Sequence, residues 1–246
     1  MDEAGDLARL ERKRLSMEMK PDGSLVTQAD KAIEKFMIPR LQAIYPAAIV
    51  GEEGGVQGEL DGAVWLIDPI DGTSNFWFDV PFWGISAGLQ VDGRLVAGAI
   101  SLPDLDEVYI GQLGHGATCN GKALEPLRGG PLLKHELIGY SSPEVLFSHG
   151  RILGGKMRHF GALVAEGMMI ASGRMRAMTV GRASLYDAAA AIVILRELGA
   201  EFWDYNLVPL DPNSQPVVGR LTPFLICAPG AFENGARERM SQSGLG

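Results

Sequence analysis

The chain has 246 residues, 46% of them apolar, and a formal net charge of -8. That composition supplies a substantial buried core and excludes disorder over most of the length. An acidic chain without a basic run has no general attraction for nucleic acid polymers or anionic membranes.

Asp2–Met19 is rich in Leu, Arg, Glu and Met and predicts a helix with a charged outer face, broken by the turn Pro21-Asp22-Gly23. Gln28–Tyr45 carries an apolar stripe of Ile33, Met37, Leu41 and Ile44 and predicts a second helix, kinked or stopped early at Pro39. Ala63–Ile67 is a short apolar run ending in Asp-Pro, the pattern of a buried strand. Phe82–Val91 and Leu95–Leu102 alternate around Asp92-Gly93, a two-residue hairpin signal. Glu107–Gln112 and Ala117–Thr118 predict further strands, with a tight turn at Asn120-Gly121, so that residues 62–124 form a mainly antiparallel sheet.

Gly129-Gly130-Pro131 marks a boundary between a half spanning 1–129 and one spanning 130–246. Beyond it, Leu137–Tyr140 and Arg176–Val180 predict strands, and Gly161–Gly173 a helix of small residues. Tyr186–Leu198 predicts a helix ended by Gly199. Phe224–Ala228 and a helix near Phe232–Met240 complete the pattern. The two cysteines, Cys119 and Cys227, are too isolated for a disulfide framework or a zinc site. No leader pattern and no apolar run near the roughly 20 residues of a membrane span occurs, and the expected location is the cytoplasm.

The stretch Trp65 to Phe76 carries the most chemistry. A hydrophobic strand delivers Asp68 to its end, and Pro69 turns the chain out of the sheet. Asp71, three residues on, can share a cation cluster with Asp68. Gly72 permits an unusual backbone angle, and Thr73-Ser74 can start a helix whose free N–H groups face an anion. An ordinary strand–turn–helix junction would use the same Asp residues as caps. A calcium loop fails, because the glycine falls too early and no glutamate closes it. Glu52-Glu53 lies between glycines, as a solvated acidic loop or a cation site would. Asp187 and Asp30 stand near helix starts, where capping is the plain reading. The alternatives are a rigidly held metal ligand at Asp187, before an alanine run, and at Asp30 a carboxylate that orients a hydroxyl and a water. Gly84-Ile85-Ser86-Ala87-Gly88 matches the nucleophile-elbow pattern but lies inside an alternating strand, so it is a chance match. The four histidines show no metal-ligand spacing and read as surface or packing residues.

Together these segments resemble the inositol monophosphatase family of Mg²⁺-dependent, lithium-sensitive sugar phosphatases. The resemblance runs through Leu25–Asp30, Gly51-Glu52-Glu53, Trp65–Phe76, Gly114–Leu124 and Tyr186-Asp187-Ala188-Ala189, with Tyr186 where the family has Trp. It implies a layered α+β and α/β sandwich, with a mainly antiparallel N-terminal sheet and a smaller mixed C-terminal one. It implies that Glu52, Asp68, the Ile70 carbonyl, Asp71 and Asp187 hold about two or three Mg²⁺ ions. Asp30 and Thr73 would orient the attacking water, and Gly72, Thr73 and Ser74 would hold the phosphate. The substrate would be a small phosphate ester, and a homodimer is compatible with the pattern. Two departures concern the leaving-group pocket, near Gly161. Ala162 replaces a serine, and Val180 replaces the glutamate with which inositol-cleaving members contact a substrate hydroxyl. The resemblance therefore leaves histidinol phosphate, fructose bisphosphate and a 3′-phosphorylated nucleotide open beside inositol phosphate. A catalytically dead relative acting as a binding protein is the reading of another class.

Overall fold

The computed structural model describes residues 1–13, 17–19, 25–140, 154–181 and 183–232. Strand β5 (Ala63–Asp71) shows how the layers arise from sequence alternation. Val64 and Leu66 join one apolar cluster, whereas Trp65 and Ile67 join another on the opposite face. A strand buried on both faces needs a cover on each side.

One cover is the pair α1 (Asp2–Arg12) and α2 (Gln28–Ile44), whose Ala4, Ala8, Ile33, Met37 and Leu41 pack against Trp65 and Ile67. The other is the pair α4 (Leu163–Ala171) and α5 (Leu185–Glu197), which pack against Val64, Leu66, Ile100 and Leu102. A short helix α3 (Thr73–Trp77) follows β5 directly. These are the five α-helices among the described residues.

The large sheet has eight strands in the order β10-β9-β8-β7-β6-β5-β3-β4. The strands are β3 (Ala48–Gly51), β4 (Gly55–Gln57), β5, β6 (Gly84–Val91), β7 (Arg94–Leu102), β8 (Glu107–Gln112), β9 (Gly116–Cys119) and β10 (Lys122–Ala123). All neighbours are antiparallel except β3 and β5. The second sheet has five strands and is mixed, in the order β12 (Lys156–Arg158), β11 (Leu137–Gly139), β13 (Ala177–Val180), β15 (Phe224–Cys227), β14 (Glu201–Asp204). Its inner face, including Met178, Val180, Phe224 and Ile226, shares the core of α4 and α5. Ile138, Ala177, Leu225 and Cys227 face the other way with Phe232. The result is the layered sandwich that the sequence predicts.

Helix α5 is sandwiched between the sheets, and Ala188 through Leu195 are all fully buried. Its close seat depends on a row of glycines. Gly88, Gly98 and Gly111 are aligned across β6, β7 and β8. A Cβ on Gly88 would stand 2.6 Å from Ala189 Cβ, and one on Gly98 would stand 2.6 Å from the Ala190 carbonyl oxygen. One on Gly111 would stand 2.9 Å from Ile194 Cα. The alanine run therefore rests on bare backbone, at a distance that larger residues forbid.

Several expectations are corrected. Helix α1 ends at Arg12, and Met17–Met19 forms β1, antiparallel to β2 (Leu25–Thr27), rather than extending the helix. Helix α2 continues past Pro39 to Ile44, so the proline does not stop it. Pro69 does not take the chain out of the sheet. Strand β5 runs on to Asp71 through an irregularity, in which Asp68 pairs with Ser86 and Asp71 with Gly84. Proline has no N–H for the ladder, and the next amide, Ile70 N–H, donates to Asp68 Oδ1 at 3.0 Å instead. The short strands β3, β4, β12 and β14 carry no periodicity long enough to be read. The turn at 21–23 and the helix at 233–240 fall outside the described residues, apart from Phe232.

Candidate active site

The irregular end of β5 gathers the predicted residues. Asp68 is buried, Asp71 half-buried, and the Ile70 carbonyl accepts the Thr73 hydroxyl at 3.1 Å. Gly72 follows at φ 82°, ψ 41°, a left-handed conformation that costs glycine least. A Cβ there would also stand 2.8 Å from Ala162 Cβ and 3.1 Å from the Phe82 carbonyl oxygen, so residue 72 is glycine for two reasons. Thr73 opens α3, as its sequence predicts.

Other segments deliver the remaining acids. Asp30 lies in the first turn of α2 and is buried. Glu52 follows β3, and its N–H donates to the Ile67 carbonyl at 3.1 Å. Asp187 sits in the first turn of α5, where its Oδ2 accepts the Ser184 N–H at 2.7 Å. Capping and cleft-facing are thus the same placement for Asp187, which also lines the cleft.

Burial pushes the Asp68 carboxyl well up, and the charges of Glu52, Asp71, Asp187 and Asp30 push it further. Asp71 is also raised well up, by burial first and by the charges of Asp187, Glu52 and Glu166, although the Val164 N–H works against this. That N–H donates to Asp71 Oδ2 at 2.6 Å. The charges that act most on Asp68 are all carboxylates, one from its own strand and three from other segments. Such a set is unfavourable on its own and, being all oxygen, suits a hard divalent cation. Among the described residues no group of three or more His, Cys, Asp or Glu side chains is drawn in closely enough to grip an ion. Asp68, Asp71 and Asp187 each engage a backbone N–H instead.

A cleft of about 550 Å³ opens beside these acids. Its lining includes Asp71, Ser74 and Asp187 on one side and His159, Gly161, Ala162 and Glu166 on another. Gly161 and Ala162 both line the cleft. Val180 is fully buried at the end of β13, and the cleft wall there is made by Met178, Gly181 and Ala183. Ser86 is fully buried inside β6, with no helix after it, so the elbow-like pattern is a strand.

Four residues at the site escape sequence reading. Glu34 is a buried carboxylate that accepts Glu53 N–H at 3.1 Å and Gly54 N–H at 2.8 Å, fixing the loop that carries Glu52. A Cβ on Gly51 or Gly54 would stand 2.4 Å from a Glu34 oxygen, so those glycines make room for it. Its one sequence signal is the four-residue spacing from Asp30 on the same helix. Asn75 Nδ2 donates to the Phe82 and Phe160 carbonyls at 2.5 and 2.6 Å, tying α3 to the opposite wall. Glu166 Oε1 and His159 Nδ1 stand 3.7 Å apart in that wall. No local pattern marks either residue, because their encounter spans a loop and a helix.

A layered sandwich with buried acids at a strand end beside a cleft defines a phosphoric monoester hydrolase when joined to the comparisons with known proteins. The inositol monophosphatase family model matches residues 2–228. The chain is 31% identical over 201 residues to an inositol-1-monophosphatase of Mesorhizobium japonicum, covering 77% of this chain and 75% of that one. It is 32% identical over 206 residues to a histidinol-phosphatase of Chlorobaculum parvum, covering 79% and 78%. The solved inositol monophosphatase of Anabaena superposes with a TM-score of 0.79 at 25% identity, over 97% of this chain and 91% of that one. The chain belongs to the inositol monophosphatase family. No helix among its described residues is long and apolar enough to cross a membrane.

Proposed function

We propose that the chain is a Mg²⁺-dependent phosphatase of small phosphate monoesters. The observation that carries this reading is the buried Asp68, on which Asp71 of the same strand and Glu52, Asp187 and Asp30 of three other segments act as like charges. Glu52, Asp68, Asp71, Asp187 and the Ile70 carbonyl would hold the metal. When bound, Mg²⁺ would neutralise these carboxylates, acidify a water and offset charge on the phosphoryl group.

The chain's own part is positional. Asp30, held in the first turn of α2, and the Thr73 hydroxyl would orient the attacking water. The Gly72 and Thr73 N–H groups and Ser74 would hold the phosphate next to Asp71. The half spanning 1–129 would carry most of the ligands, and the half spanning 130–246 would bring Asp187 and the leaving-group wall. Free Cys119 and Cys227 suit a reducing cytoplasm.

The leaving group is not fixed by the family, since relatives of similar identity are named for inositol phosphate and histidinol phosphate. Val180 stands where inositol-cleaving members place a glutamate, and it is buried outside the cleft lining, so this position supplies an inositol hydroxyl with no partner. Inositol 1-phosphate is therefore expected to be a poor substrate beside at least one other ester.

The test is phosphate release, with Mg²⁺ and with chelator, over inositol, histidinol, fructose and nucleotide phosphates. Turnover is expected to vanish in chelator and return with Mg²⁺, and excess Ca²⁺ to inhibit. Full activity in chelator overturns the metal assignment, and a strong preference for inositol 1-phosphate overturns the specificity argument.

A further inference from the structure

We propose that His159 selects among phosphate esters, favouring those whose leaving group carries a negative charge; the inference rests on the phosphatase reading of the same cleft. His159 is the one basic side chain among the described residues that line the cleft. It precedes Phe160, Gly161 and Ala162, the segment that forms the leaving-group wall.

The backbone beside the ring is held on both sides, and the ring itself faces one carboxylate. His159 Nδ1 lies 3.7 Å from Glu166 Oε1, and the Glu166 side chain is only 3% exposed. The same Oε1 accepts the Phe160 N–H at 2.8 Å, and Asn75 binds the Phe160 carbonyl at 2.6 Å. Both backbone groups of the neighbouring residue are therefore pinned. A carboxylate buried on a helix is a poor tenant unless it is paired, and here room is also cleared for it. A Cβ at residue 139 would stand 2.6 Å from Glu166 Oε2, so Gly139 on β11 is the gap that admits the carboxylate.

This arrangement favours the protonated ring. The neighbouring Glu166 carboxylate, with the Tyr140 carbonyl, raises the imidazole pKa against the opposing effect of partial burial. The His159 side chain is 53% exposed and the Glu166 side chain 3%, so a ligand entering the cleft meets far more of the imidazole than of the carboxylate. A leaving group bearing a carboxylate or a second phosphate gains this contact, and a neutral polyol of the same size does not.

The experiment compares two esters on one carbon skeleton, 3-phosphoglycerate and glycerol 3-phosphate, which differ in a carboxylate against a hydroxymethyl group. The quantity read is the ratio of their kcat/KM values with Mg²⁺ at fixed ionic strength. The wild type is expected to favour 3-phosphoglycerate. His159→Gln and His159→Ala are expected to lower the ratio about tenfold, equivalent to about 1.4 kcal/mol, and His159→Lys to restore most of it. His159 lies on a half-exposed loop, so these variants should fold, and a melting curve checks that. A ratio unchanged in His159→Gln overturns the inference, as does an equal fall for both esters, because His159 would then grip the phosphate itself. If other phosphate esters are hydrolysed but 3-phosphoglycerate is not, this inference alone is overturned; if no phosphate ester is hydrolysed, the phosphatase reading falls and this inference with it.

Discussion

Gly98→Ala probes the contact that sets the position of Asp187. The new methyl would meet the Ala190 carbonyl oxygen at 2.6 Å, its Cα at 2.7 Å and its carbonyl carbon at 3.0 Å. All three are helix backbone, so no side-chain rotation can relieve the clash, and α5 must lift from the sheet. Overpacking of this kind costs about 1–3 kcal/mol. Replacing Gly by Ala returns about 0.4–1 kcal/mol through the unfolded chain. The net expected loss is about 0–2.6 kcal/mol, a fall of up to about 10 °C in Tm for a chain of this length. Chemical denaturation measures the loss, and phosphate release in the folded variant measures the displacement of Asp187. Gly129→Ala is the control, since its nearest neighbour is 3.8 Å away and its φ is ordinary. A Gly98→Ala variant as stable and as active as Gly129→Ala would refute the idea that helix–sheet contact positions Asp187.

Asp187→Asn keeps an acceptor for the Ser184 N–H. It should fold normally while losing activity about 100-fold or more, beyond the typical cost of losing a metal ligand's outer partner; near wild-type turnover at saturating Mg²⁺ would remove Asp187 from the ligand set. Burial raises the Asp104 pKa, but hydrogen bonds from Arg12 and Trp83, with the charges of Arg12 and Arg9, outweigh it and leave the carboxyl below its usual value. The folded pKa lies below the unfolded one, so the stabilisation is present above the unfolded value and is lost as pH falls through the folded one. Asp104→Asn should therefore cost about 1–3 kcal/mol at pH 7 and progressively less toward strong acid, read from denaturation midpoints across pH. Ser86→Ala should leave phosphate release nearly unchanged, since Ser86 is fully buried in the middle of a strand; loss of activity with the fold intact would revive it as a candidate nucleophile.

Much of the site was legible because its parts are local. The run from Trp65 to Phe76 encodes a strand end, a glycine turn and a helix start within a dozen positions, and each follows from the residue at that place. The hairpin at Asp92-Gly93 and the Gly199 stop of α5 are read in the same way, because a turn residue acts on its own backbone. The unbroken apolar run of β5 announces burial on both faces, though not the partners that cover them.

What the sequence alone left open depends on encounters between distant segments. Glu34 meets the loop at 53–54, Asn75 meets Phe160, and Glu166 meets His159 only once the layers have closed. The chain-break reading of Pro69 failed because a missing N–H is compatible with a strand that bulges, and the neighbouring strand decides which occurs. The strands β3, β4, β12 and β14 are too short for their own pattern; β4, β12 and β14 lie at sheet edges and β3 between β5 and β4, and neighbouring strands supply their hydrogen bonds. Local sequence fixes backbone preference through sterics that each residue carries with it. Which carboxylates, glycines and histidines face one another is set by the packing of layers, a property that no single segment possesses.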